Sequence, residues 1–245
     1  MVRLLFIILL IFINDTAIAT DLTMSLSDDM TTATGGFSSR IIQLIGVMTV
    51  LSIAPSIIIM FTSFTKISVV LSILKNALGL QQSPPNSVLA SLALFLTFFI
   101  MAKPLAIIYD DAIEPLMEEK ITNEMAWERL QKPIKGFMLQ HVSEKELGLF
   151  RSMAHTDDKI SKADTPLHVL TPAFLISELR KAFEIGFLIF LPFLIIDLVI
   201  SSVLMAMGMM MLPPVTVSLP FKLIFFVLVD GWYMLCGSLV KSYGI

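Results

Sequence analysis

Four long apolar stretches, each carrying only one or two charges, constrain this chain more than any other feature. Ile41–Leu74 holds Lys66 alone, and Ser87–Ile108 holds Lys103 alone. Phe183–Leu212 holds Glu184 and Asp197, and Val215–Val240 holds Lys222 and Asp230. Pro84-Pro85 separates the first two stretches and Pro213-Pro214 the last two. Proline lacks an N–H and cannot continue a helix, so each pair reads as a helical hairpin. Charged residues make up 15% of the chain, against about 25% in soluble domains. Mean hydropathy is +0.85. That is too little charge to coat a soluble surface. The expectation is an all-α membrane protein with two long apolar helical hairpins.

The hairpins are separated by the one strongly charged segment. Residues 109–171 hold twelve Asp/Glu, eight Lys/Arg and all three histidines, His141, His155 and His168. Trp127, Leu130, Ile134, Phe137 and Met138 recur there at helical spacing, whereas His155–Pro166 is polar and loop-like. The segment reads as a small helical soluble insert. The chain therefore divides into 1–19, 20–40, 41–108, 109–171 and 172–245: leader, polar tail, first hairpin, insert and second hairpin with a Met-rich turn. The leader has Arg3, an apolar run Leu4–Ile13, and Ala17-Ile18-Ala19 at its end. This is the layout of a secretory signal peptide cleaved after Ala19. The run is shorter than the ~20 residues of a spanning helix. An uncleaved amphipathic anchor is the alternative. Cleavage places the mature start outside the cytoplasm, Lys75 of the first hairpin loop inside, and the insert on the extracytoplasmic side.

Several classes fall away. A net charge of −3 offers no basic footprint for nucleic acid. One cysteine, Cys236, forms neither a disulfide framework nor a Cys-based zinc site. No HExxH, GxSxG, Walker or Rossmann pattern occurs. The histidines do not have ligand spacing on one helical turn. No catalytic residue, metal or cofactor is expected.

Charges at bilayer depth are costly and are functional candidates by default. Glu178 and Lys181 are an i, i+3 pair, and Arg180 and Glu184 an i, i+4 pair. They read either as an ion-paired helix start at the membrane edge or as an intersubunit or pore-lining group. Lys66, Asp197, Lys222 and Asp230 lie deeper and apart in sequence. They should pair with one another, with a partner chain, or along a water-filled path. Ser52, Ser56, Ser63, Thr65, Ser68 and Ser72 form a small polar stripe suited to a close helix interface. Met205, Met207, Met209, Met210 and Met211 cluster before Pro213-Pro214. They read either as filler or as a flexible apolar group that closes a pore and deforms around a passing object.

Two stretches resemble signatures of the FliP family of flagellar export-gate proteins. One is Thr171-Pro-Ala-Phe-Leu-Ile-Ser-Glu-Leu-Arg-Lys-Ala-Phe-Glu-Ile-Gly186; the other is Pro220-Phe-Lys-Leu-Ile-Phe-Phe-Val-Leu-Val-Asp-Gly-Trp232. Leu191-Pro-Phe-Leu-Ile-Ile-Asp-Leu-Val-Ile200, Met205-Ala-Met-Gly-Met-Met-Met211, Lys75-Asn-Ala-Leu-Gly79, Pro84-Pro-Asn86 and Leu94-Phe-Leu-Thr-Phe-Phe-Ile-Met101 are similar to the family too. The resemblance covers nearly all the chain from Ile41 onward. It implies a structural channel subunit that assembles into a ring, pentameric by resemblance, with FliQ-like and FliR-like subunits. FlhA-like and FlhB-like proteins complete the gate, through which unfolded flagellar subunits pass. It implies the bacterial inner membrane at the flagellar basal body, with the insert in the periplasm. It also implies that Met209, Met210 and Met211 act as a gasket, and that the hairpins wrap into a helical tube raised above the membrane plane. Virulence-type secretion systems hold close relatives, which gives the alternative of an injectisome subunit. A polytopic solute transporter and an intramembrane hydrolase are the competing classes. Four stretches are few for a transporter, and no buried histidine serves a hydrolase.

Overall fold

A computed structural model describes residues 45, 46, 48, 49, 52, 53, 59–80, 83–154, 161–209 and 211–244. The chain falls into two compact units, Met1–Ala54 and Pro55–Ile245. Ile45, Gly46, Met48, Thr49, Ser52 and Ile53 in the first unit are helical. The expected cleavage site after Ala19, the polar tail, Ser56, His155 and Met210 lie outside the described residues.

In the second unit every described element is helical. Helix α1, Phe64–Ala77, buries Lys66, Ile67, Val70, Leu71, Leu74 and Ala77 along one stripe, the spacing of an amphipathic helix facing a core. It stops because Gly79 adopts φ 75°, the left-handed conformation that glycine accepts without a Cβ clash. Leu80 N–H then bonds back to the Lys75 carbonyl at 3.2 Å. The Lys75 ammonium donates to Asn86 Oδ1 at 2.8 Å, closing the loop that carries the first double proline.

Helices α2, Asn86–Ile100, and α3, Ala102–Ile108, meet at Met101, where the axis bends by 61°. Pro104 has no N–H for the Ile100 carbonyl, which frees the backbone to bend there. A π-helical turn, Tyr109–Ile113, and the short α4, Glu114–Met117, continue into the insert. Helix α5, Asn123–His141, begins where the Thr122 side chain accepts from Met125 N–H, a standard N-cap. Helix α6, Glu144–Met153, follows, and Lys162–Asp164 forms a 3-10 turn. Helix α7, Leu167–Ala206, runs unbroken for 40 residues, about 60 Å at 1.5 Å per residue. Helices α8, Pro214–Leu228, and α9, Gly231–Lys241, complete the chain and are also bent by 61°.

The core lies where α1 packs against α7 and α2, with α5, α6 and α8 also on α7. Pro84-Pro85 falls between helices, and Pro213-Pro214 at the start of α8. The hydropathic expectation of four apolar stretches resolves differently. Among the described residues only α7 is by itself long and apolar enough to cross a membrane. Counting each bent pair as one span raises the number to three. Helix α7 also crosses the expected boundary at 171/172, so its first turns belong to the insert and the rest to the apolar stretch. Hydropathy marks where charge ends, whereas the helix runs on across that point, through Pro172.

Helices α1 and α7 approach closely at Gly186, where a Cβ would come within 2.4 Å of Ile73 Cδ1 and 3.3 Å of its Cβ. Ile73 is β-branched and cannot simply swing away. Gly186→Ala is therefore expected to destabilise the protein by about 1–3 kcal/mol through overpacking. The thermal midpoint of the detergent-solubilised protein checks this. An Ile73→Val/Gly186→Ala double variant should recover part of the loss.

Candidate functional site

The charged residues predicted in the apolar sequence, Asp230 apart, assemble into three groups. The first centres on Glu178, which α7 carries at 0% exposure. Its Oε2 lies 3.7 Å from Lys66 Nζ of α1, itself 1% exposed. Its Oε1 lies 3.6 Å from Lys181 Nζ, one helical turn on. The Tyr243 hydroxyl donates to Oε2. Lys66 also donates to Ser242 Oγ at 2.9 Å and sits 3.5 Å above the Tyr243 ring. Lys181 donates to the His141 carbonyl at 2.6 Å, at the C-terminal end of α5, where the helix dipole favours a cation. The Tyr243 ring stacks on Phe137 at 5.8 Å and contacts His141 at 4.9 Å. One carboxylate thus ties α1, α5, α7 and the turn after α9. Within this chain Glu178 is a buried charge paired with Lys66 and Lys181.

The second group joins α7 to α6. Arg180 Nη1 lies 3.0 Å from Glu146 Oε1, and Arg180 Nε lies 2.9 Å from Glu184 Oε1. Ser143 N–H donates to Ser177 Oγ at 2.8 Å beside them. The Ser143 hydroxyl, and next the Arg180 guanidinium, pull the Glu146 carboxyl down to about 2 from its ordinary 4.5. A carboxyl lowered on folding contributes stability that is present above about 4.5 and is lost as pH falls toward about 2. The thermal midpoint of wild type should accordingly exceed that of Glu146→Gln near pH 6. The difference should shrink between pH 4.5 and 2. A difference that stays constant with pH would mean the carboxylate charge is not what holds α6.

The third group joins α7, α8 and the end of α1. Lys222 Nζ lies 2.7 Å from Asp197 Oδ2 and donates to the Ala77 carbonyl at 3.1 Å. Ser218, one turn before Lys222, donates to Asp197 Oδ1 at 2.6 Å. Lys66, Asp197 and Lys222 thus find partners within the chain. Asp230 does something else. It is exposed and left-handed (φ 51°) at the N-cap of α9.

Met207, Met209 and Met211 lie in the turn between α7 and α8, and Met205 at the end of α7. Gly208 adopts φ 73°, ending α7, and Met209 N–H bonds back to the Leu204 carbonyl at 3.0 Å. Pro213 is the N-cap of α8 and Pro214 its first residue, a position where the missing N–H costs nothing. The chain reverses over a few residues and leaves its apolar side chains outward. Met209 is 44% exposed and Met211 is 99% exposed; Met205 and Met207 are exposed as well. On the polar stripe, Ser63 is buried while Ser72 is exposed.

Sequence reasoning missed Tyr243, Ser242, Ser218, His141 and Glu146. Ser218 had a usable signal, four residues before Lys222 on one helical face. Ser143 and Glu146 have capping-box spacing. Tyr243 and Ser242 had none, because their partners lie 65 and 176 residues away. Among the described residues no group of His, Cys, Asp and Glu could hold a metal ion.

Comparison with known proteins gives a consistent result. The profile of the FliP family matches residues 47–239, which includes all three charge groups apart from Ser242 and Tyr243. A protein named flagellar biosynthetic protein FliP from Caulobacter vibrioides is 57% identical over 208 residues, covering 85% of this chain and 78% of its own. The protein of that name from Bacillus subtilis is 53% identical, covering 84% of this chain and 93% of its own. The one from Aquifex aeolicus is 48% identical, covering 82% and 85%. The chain belongs to the FliP family.

Proposed function

We propose that this chain is a structural subunit of the flagellar protein-export apparatus, set in the bacterial inner membrane at the basal body. The family match over most of the chain carries this reading, and the relatives' flagellar names favour it over a virulence-type injectisome. Several copies associate into a ring, pentameric by resemblance, with FliQ-like and FliR-like subunits, next to FlhA-like and FlhB-like gate proteins. Unfolded flagellar subunits pass through the ring. The insert faces the periplasm, the leader is removed after Ala19, and Met209, Met210 and Met211 close the channel as a deformable apolar ring. The outward methionines at the α7–α8 turn support the last point. An apolar constriction resists ions by dewetting, and unbranched methionine repacks around a passing chain. The internal pairing of Lys66, Asp197 and Lys222 weighs against a solute-binding site built from them.

The test is complementation. A bacterium deleted for its own FliP should regain flagellar filaments and secretion of flagellar subunits when this chain and its cognate gate partners are supplied. Stable, membrane-inserted protein with no restored secretion would overturn the reading.

A further inference from the structure

Helix α9 is fastened at both ends and lightly held between them. At its start, α8 and α9 meet at a 61° bend across Val229 and Asp230. Asp230 sits in the left-handed region at φ 51°, which a side chain with a Cβ adopts only against steric resistance. Gly231 follows so close to the Phe226 ring that a Cβ there would come within 2.2 Å. Along its length α9 packs chiefly on α8 and α2, contributing Leu235 and Leu239 to the core. Trp232, Tyr233 and Met234 stay exposed. At its end, the turn after α9 inserts Ser242 and Tyr243 between α1, α5 and α7.

We infer that α9 is a lever, hinged at Asp230-Gly231 and held shut by a catch made of Tyr243, Ser242, Glu178 and Lys66. Hinges are a few element-terminal residues that absorb a large backbone change, and Asp230 and Gly231 fit that description. The catch is suited to two discrete states. Ser242 Oγ accepts from Lys66 while donating to the Leu239 carbonyl at 2.6 Å, so one hydroxyl links the charge cluster to α9's own backbone. The Tyr243 hydroxyl engages Glu178 while its ring is seated on Phe137. When the catch releases, α9 leaves as one rigid helix and uncovers Leu235, Leu239 and the Lys66–Glu178 pair. The rest of the fold stays in place, because α1 packs on both α7 and α2 without α9. The inference goes beyond the export role and does not require it.

The chain's single cysteine, Cys236, is half-buried on α9 and reports the lever directly. In the full-length detergent-solubilised protein, N-ethylmaleimide should alkylate Cys236 roughly tenfold or more faster in Tyr243→Phe than in wild type, as expected for loss of one hydrogen bond to a charged group. Ser242→Ala keeps every ring and should act the same way. A control reporter, Cys236→Ser/Val70→Cys on the buried face of α1, should not change its rate when Tyr243→Phe is added. Equal Cys236 rates in wild type and both variants would overturn the lever. Equal acceleration at Cys236 and at the α1 reporter would overturn it too, since that means general loosening.

Discussion

Glu178→Ala should remove about 3–5 kcal/mol of stability, because it leaves Lys66 buried at 1% exposure with no carboxylate. That is a large share of the 5–15 kcal/mol that folded domains of ordinary size retain. The loss reaches further than one pair. Lys181 loses its partner on the same helix, and the Tyr243 hydroxyl loses its acceptor. The expected result is little intact protein in the membrane and a thermal midpoint many degrees lower in what can be purified. The double variant Lys66→Met/Glu178→Ala removes both charges and substitutes an apolar side chain of similar length. It should recover most of the stability, because replacing a buried pair by apolar groups is far cheaper than leaving one charge alone. If Glu178→Ala keeps its thermal midpoint yet fails to assemble, the carboxylate acts between subunits, and a Glu178→Lys reversal matched by the opposite reversal at a partner base should restore assembly. The measurements are membrane yield, thermal midpoint and recovery of the assembled complex.

The combined Met209→Ala, Met210→Ala, Met211→Ala variant has the opposite signature. Met209 and Met211 face outward in the isolated chain, so truncating them removes little internal packing and the fold should keep its stability. Each alanine removes three heavy side-chain atoms from an apolar ring that several copies would build together. The assembled complex should therefore leak ions or small solutes across the membrane of cells expressing all its partners, with complex recovery near wild type. Ion tightness unchanged in a well-assembled complex would end the gasket proposal. Failed assembly would instead mean that the methionines are packed against neighbouring subunits. Glu178 and the methionines thus separate cleanly: stability falls for the first and sealing fails for the second.

What the sequence alone determined about this protein is local. Each double proline lies at the start of a helix, because a missing N–H is tolerated at the first turn. The pairs Glu178–Lys181 and Arg180–Glu184 were legible because helical periodicity places residues three and four apart on one face. The exposed methionine turn was legible as a cluster beside a forced break. Its boundaries were less so. The apolar stretch begins at Phe183, yet α7 begins at Leu167 and runs through Pro172 and Pro192, so neither the change in composition nor a single missing N–H ends the helix. The 61° bend after α2 rests on Pro104, a single proline inside an apolar run that hydropathy reads as continuous. Tertiary structure decided the rest, above all which charges meet. Lys66 joins Glu178 and Lys222 joins Asp197 across long separations. Desolvation requires each buried charge to have a partner but does not say which one. Only the packing of α1, α8 and the turn after α9 on α7 brings particular side chains within reach, and that packing depends on shape over the whole core. For the same reason Tyr243, which carries no sequence mark at all, lies at the centre of the cluster.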